Sequence, residues 1–130
     1  YSSERRSHHT GIATDATALA DRYAALFGTQ IAHSEQFDGM EIIFFDFDNS
    51  YFELLEPRRP GPIATYLDEK GSGIHHLAVA TDDIGAAFLT ATDHGIDLID
   101  DKPRPGAWGH EVAFLHPSDT GGVLIEFVAE

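Results

Sequence analysis

The chain has 130 residues, enough for one domain with a proper core and too few for two typical ones. Its 22 acidic residues against 8 basic ones give a formal net charge of −14, and Lys70 and Lys102 are the only lysines. That balance excludes nucleic acid as a partner, because phosphate binding needs clustered Lys and Arg. No apolar run is long enough to span a bilayer, and with no cysteine there is neither a disulfide nor a thiolate ligand. The polar stretch Tyr1 to Ser7 lacks the apolar region of a secretory signal, so a cytoplasmic protein is expected. Many carboxylates with few lysines also fit a high-salt cytoplasm, where salt screens self-repulsion.

In chain order, the first segment is His8-His9-Thr10-Gly11-Ile12-Ala13-Thr14-Asp15, a short strand ending in a helix-capping acid. Apolar residues at helical spacing follow from Ala16 to Phe27, closed by Gly28. Three strands are then predicted at Ile31 to Phe37, Glu41 to Phe47 and Tyr51 to Glu56. Residues 57–73, with Pro and Gly at both ends, read as a linker holding a short helix near Ile63 to Lys70.

The first segment then returns. His75-His76-Leu77-Ala78-Val79-Ala80-Thr81-Asp82 repeats it at an offset of 67 residues (His9 to His76), with Asp82 in the capping place of Asp15. A helix is predicted from Ile84 to before Gly95, then strands at Ile96 to Asp100, Glu111 to His116 and Gly122 to Val128. Each half is therefore β-α-β-β-β, with module one at about residues 8–56 and module two at about 74–130. Two such modules predict a single α+β domain: a curved, half-barrel-like mixed sheet with its helices outside.

Strand side chains alternate between faces. His9, Gly11 and Ala13 share one face, matched by His76, Ala78 and Ala80; the neighbouring positions are bulkier and suit packing beneath helices. The small-residue face leaves room for a cavity, which selects His9 and His76 over His8 and His75. The last strand of each module carries an acid in an apolar run, Glu53 and Glu126, and burying a carboxylate there requires compensation. Two imidazoles and two carboxylates suit one divalent ion: Co²⁺, Mn²⁺, Ni²⁺, Zn²⁺ or Fe²⁺. His33, His94, His110 and His116 have no counterpart in the repeat and are read as surface or supporting residues.

The duplicated unit, with His on the first strand and Glu on the last, resembles the vicinal-oxygen-chelate superfamily that includes glyoxalase I. Within it the chain is most similar to the methylmalonyl-CoA epimerases. The resemblance runs through Glu53-Leu54-Leu55-Glu56-Pro57, Gly73-Ile74-His75-His76-Leu77-Ala78, Pro103-Arg104-Pro105-Gly106-Ala107, and Val112 to Pro117 with Thr120 to Glu126. His8 departs from the Asp common before the ligand histidine, and Trp108 stands where His is frequent.

The resemblance implies metal-dependent epimerisation of methylmalonyl-CoA at C2 through an enolate. The metal would lie on His9, Glu53, His76 and Glu126, in a cytoplasmic protein that pairs as a homodimer. It implies Glu126 as one proton-transfer group and a carboxylate near Glu41 as the other, with Asp46 and Asp48 as rivals. Lys102 and Arg104, together with Arg58 and Arg59, are the candidates for binding the polyanionic CoA. A glyoxalase I-type isomerase and a non-enzymatic small-molecule-binding module are the alternatives.

Overall fold

The computed structural model describes residues 6–130, so most of the polar N-terminal stretch lies outside the described residues. The chain divides into two compact units, His9–His75 and His76–Glu130, the latter joined by residues 6–8.

The first unit contains β1 from His9 onward (the strand spans Arg6–Ala13), α1 (Ala16–Phe27), β2 (Ile31–Phe37), β3 (Met40–Asp46), β4 (Tyr51–Pro57) and α2 (Pro62–Lys70). Asp15 caps α1 by accepting from the Ala18 amide at 3.2 Å, and Gly28 ends the helix in the left-handed region. β2 and β3 form a hairpin across Asp38-Gly39, both at positive φ, which suits a two-residue turn between twisted strands. β3 runs antiparallel to β4, and β4 lies parallel to β1, giving the strand order β2-β3-β4-β1. One sheet face packs under α1: Ile12, Ile43, Phe45 and Leu54 meet Ala16 and Ala20, with Tyr23 and Phe52 alongside. Burial of each large side chain there contributes roughly 1.5–3 kcal/mol. The small alanines let the helix approach the sheet closely.

The second unit repeats this order with β5 (Gly73–Ala80), α3 (Ile84–Asp93), the two-residue β6 (Arg104–Pro105), β7 (Glu111–Leu115) and β8 (Ile125–Ala129). β5 is parallel to β8, β8 antiparallel to β7, and β7 antiparallel to β6. The order β5-β8-β7-β6 therefore mirrors β1-β4-β3-β2, and the α+β class and the duplication hold.

Two details differ from expectation. The cap of α3 is Asp83, which accepts from the Ala86 amide at 2.9 Å, rather than Asp82; Thr81 spends its hydroxyl fixing the Asp83 backbone instead. The predicted strand Ile96 to Asp100 forms only an isolated bridge, Leu98 to Leu115. Its ladder breaks because the Asp100 carboxylate, not a backbone carbonyl, accepts from the Phe114 amide at 2.8 Å.

Two buried histidine–glutamate pairs

The strand registers build the same site twice. In the first unit Gly11 lies opposite Glu53 across the β1–β4 pair, and Phe44 lies opposite Glu53 across β3–β4. Directly opposed residues share a face, so His9, Gly11, Phe44 and Glu53 project together. In the second unit Ala78 and Phe114 lie opposite Glu126, so His76, Ala78, Phe114 and Glu126 share a face likewise. His9 Nε2 is 3.2 Å from Glu53 Oε1, and His76 Nε2 is 3.6 Å from Glu126 Oε1. Each histidine ring meets its phenylalanine edge to face, with centroids 5.7 Å apart in both copies. The phenylalanine excludes water and fixes the imidazole plane, while Gly11 or Ala78 leaves space beside the carboxylate.

All four polar residues are at most 6% exposed. A carboxylate this deep requires positive charge or donors, and an imidazole nitrogen 3–4 Å away provides a partner. The donor set fits a divalent cation. Donors around an ion at roughly 2.1 Å sit about 3 to 3.5 Å apart, close to both nitrogen–oxygen spacings. Each unit offers one imidazole nitrogen and one carboxylate oxygen, a mixed donor pair that suits the later first-row metals.

Glu41 does not reach this face. It lies opposite Glu56 on the side that packs under α1, where Glu56 accepts from the Thr17 amide at 3.4 Å. Arg58 is 3.6 Å from Glu56 and 4.0 Å from Glu41, so its charge belongs to this carboxylate pair; Arg59 is 3.5 Å from Asp38. Asp46 accepts from the Asp48 amide at 2.7 Å and shapes the turn after β3. Arg104 lies on β6 with its guanidinium over the Phe114 ring at 5.4 Å and its Nε 2.9 Å from Asp100. Lys102 is exposed in the preceding loop.

The structure adds a group that the sequence set aside. His33 lies opposite Phe44, and Glu35 opposite Ile42, so both share the face of Glu53. His33 Nε2 is 3.0 Å from Glu35 Oε1, each side chain is 30% exposed, and the His33 ring centroid is 6.4 Å from that of Phe44. A partly exposed imidazole oriented by a carboxylate is suited to moving protons. The visible signal was the His33-x-Glu35 spacing, which places both side chains on one strand face. His94 and His116 are structural: His94 Nδ1 bonds the Thr90 carbonyl, and His116 Nδ1 accepts from the Ser118 amide. His8 donates to Glu130 at 2.8 Å, and this hydrogen bond holds the Glu130 carboxyl below its ordinary value.

A buried, duplicated His–Glu pair on tandem β-α-β-β-β modules defines the class, and the comparisons agree. The chain belongs to the Glyoxalase/Bleomycin resistance protein/Dioxygenase superfamily, whose model matches residues 8–114. Among its relatives is the human mitochondrial methylmalonyl-CoA epimerase, 35% identical over 126 residues, covering 93% of this chain and 72% of that protein. Another is the ethylmalonyl-CoA/methylmalonyl-CoA epimerase of Cereibacter sphaeroides, 35% identical, covering 93% of this chain and 95% of that protein. A Streptomyces coelicolor methylmalonyl-CoA epimerase variant, solved with 2-nitronate-propionyl-CoA, superimposes with a TM-score of 0.89. It is 34% identical, and 96% of each chain is covered. Within the superfamily the chain is thus a member of the methylmalonyl-CoA epimerase family, enzymes of the isomerase class.

Proposed function

We propose that this chain interconverts the two C2 epimers of methylmalonyl-CoA, with His9, Glu53, His76 and Glu126 holding one divalent metal ion. The observation that carries the reading is the exact recurrence, in both units, of a buried His–Glu pair backed by a phenylalanine. The relatives named as epimerases supply the substrate. Bound there, a divalent ion supplies Lewis-acid stabilisation of negative charge developing on the thioester oxygen.

The chain's own residues move the proton. Inversion at a carbon needs one group to accept a proton on one face and another to donate on the opposite face. Glu126 is the first: one carboxylate oxygen faces His76, and the other takes the C2 proton, leaving the electron pair delocalised into the thioester. His33, oriented by Glu35, is the second; as imidazolium it returns a proton to the opposite face. The reverse turnover exchanges these roles, and solvent resets both groups. Phe44 and Phe114 keep water from the deprotonated carbon. Arg104, held over Phe114 on the Glu126 face, binds an anionic group of the ester, with Lys102 nearby in sequence assisting at the CoA phosphates. Glu41, on the opposite face, positions Arg58 instead.

The homodimer and the cytoplasmic location implied by the resemblance belong to the same proposal. Among the described residues no helix is long and apolar enough to cross a membrane.

The test is to incubate one epimer of methylmalonyl-CoA with the protein in D₂O, with and without a chelator. Interconversion with deuterium entering C2, abolished by the chelator and restored by added Co²⁺ or Mn²⁺, is expected. Failure of the metal-loaded protein to exchange that proton, with turnover of a hemithioacetal instead, moves the assignment to a glyoxalase I-type isomerase. Binding of the ester without turnover leaves only a binding module.

A further inference from the structure

We propose that His8, His110 and Glu130 form a second, separate site for a divalent transition-metal ion. One ring nitrogen from each histidine and one carboxylate oxygen of Glu130 all lie within 4.8 Å of one another. Donors around an ion at about 2.0–2.2 Å lie roughly 3–3.5 Å apart, so the trio needs to contract by at most about 1.3–1.8 Å. His8 Nε2 and Glu130 Oε2, hydrogen-bonded at 2.8 Å, stand slightly closer than that and part by a few tenths of an ångström as an ion replaces the shared proton.

The site is distinct from the pairs described above. Successive strand residues project on opposite faces, so His8 points away from the side of β1 that carries His9. Its other members come from elsewhere in the second unit. The β7–β8 register, with Glu111 opposite Ala129, brings His110 and Glu130 to adjoining ends of neighbouring strands.

The two imidazoles are fixed before any ion arrives. His8 is fully buried and meets the His110 ring edge to face at 5.1 Å. His110 is 9% exposed; its carbonyl accepts from the Gly106 amide at 2.8 Å and its amide donates to the Ala107 carbonyl at 3.2 Å. Trp108 stacks against it at 5.6 Å and adopts φ +62°, a left-handed conformation that a bulky residue takes only when its surroundings impose it. The Glu130 side chain is 51% exposed, so the third donor adjusts at small cost; its other oxygen lies 3.8 Å from the Arg6 guanidinium, which must swing away as the ion takes its place. Two neutral imidazoles with one carboxylate select Zn²⁺, Co²⁺ or Ni²⁺ over Mg²⁺ or Ca²⁺, which prefer oxygen.

The experiment counts ions rather than activity. Chelator-stripped full-length protein is dialysed against a graded series of Zn²⁺ concentrations, and bound zinc per chain is measured by mass spectrometry of the metal. Two ions per chain are expected. Glu130→Gln and His110→Gln each weaken one of the two by at least tenfold, whereas His76→Ala weakens only the other. Because Glu130 is exposed, its variant keeps the fold and reads the site even if His110→Gln unfolds, which circular dichroism reveals. A Glu130→Gln variant that binds every ion as the wild type does, whether the wild type holds one or two, shows an ion pair only and overturns the proposal. The metal role of His76 and Glu126 is read separately, from the ion that His76→Ala affects.

Discussion

Replacing His33 with Asn removes the proposed second proton-transfer group and keeps a polar side chain on the strand. His33 stands on the outermost strand of its unit, 30% exposed, so its loss changes stability by no more than about 0.5 kcal/mol. Its effect on turnover is far larger. Deleting a positioned acid–base group slows proton transfer by about 10²–10⁴-fold, equivalent to roughly 2.7–5.4 kcal/mol of barrier. The loss is also lopsided. Glu126 still reaches the proton of one epimer, so that epimer exchanges deuterium from D₂O within about tenfold of the wild-type rate without inverting. The other epimer, whose proton faces His33, becomes inert. Proton NMR of each pure epimer in D₂O, with a chiral separation of the product, reads both effects. Glu35→Gln removes only the orienting carboxylate and falls between the two. A His33→Asn variant that inverts both epimers within a few-fold of wild type, or loses exchange from both equally, refutes the assignment.

Arg104→Ala removes the guanidinium over Phe114 and raises KM for the CoA ester by about tenfold, as loss of one charge-assisted contact does, with kcat little changed; steady-state kinetics on both parameters checks it, and an unchanged KM places the anion elsewhere. Glu41→Gln leaves kcat within about twofold, since its carboxylate shares the α1 side with Glu56 and Arg58; a loss of 10²-fold or more in the same assay restores it as the second base.

The repeat, the fold and the two His–Glu pairs were legible in the sequence because strands of period two are uninterrupted around His9, Glu53, His76 and Glu126. The face of His33 was not, because the register shifts between Ile31 and His33 and the bulge breaks simple alternation. Glu41 was misplaced for a different reason. Both faces of β3 are apolar, with Ile43 and Phe45 on one and Ile42 and Phe44 on the other, so alternation carries no sign there. The shift of the helix cap to Asp83 turned on the Thr81 hydroxyl, and the lost strand at Ile96 to Asp100 on the Asp100 carboxylate. Each is a side-chain hydrogen bond competing with the backbone, which pattern alone does not reveal. The meeting of His8, His110 and Glu130 depends on strand order, so no local spacing announces it.

The central claim is that the pairs of the two units serve one ion. Single variants His9→Ala and His76→Ala, stripped and titrated with Co²⁺ while epimerisation is followed, test it most directly. One shared ion predicts that either variant loses the activity-supporting ion and turnover together, weakening Co²⁺ by about 10–100-fold or more. A variant of either pair that keeps wild-type affinity for that ion and interconverts the epimers at the wild-type rate contradicts it.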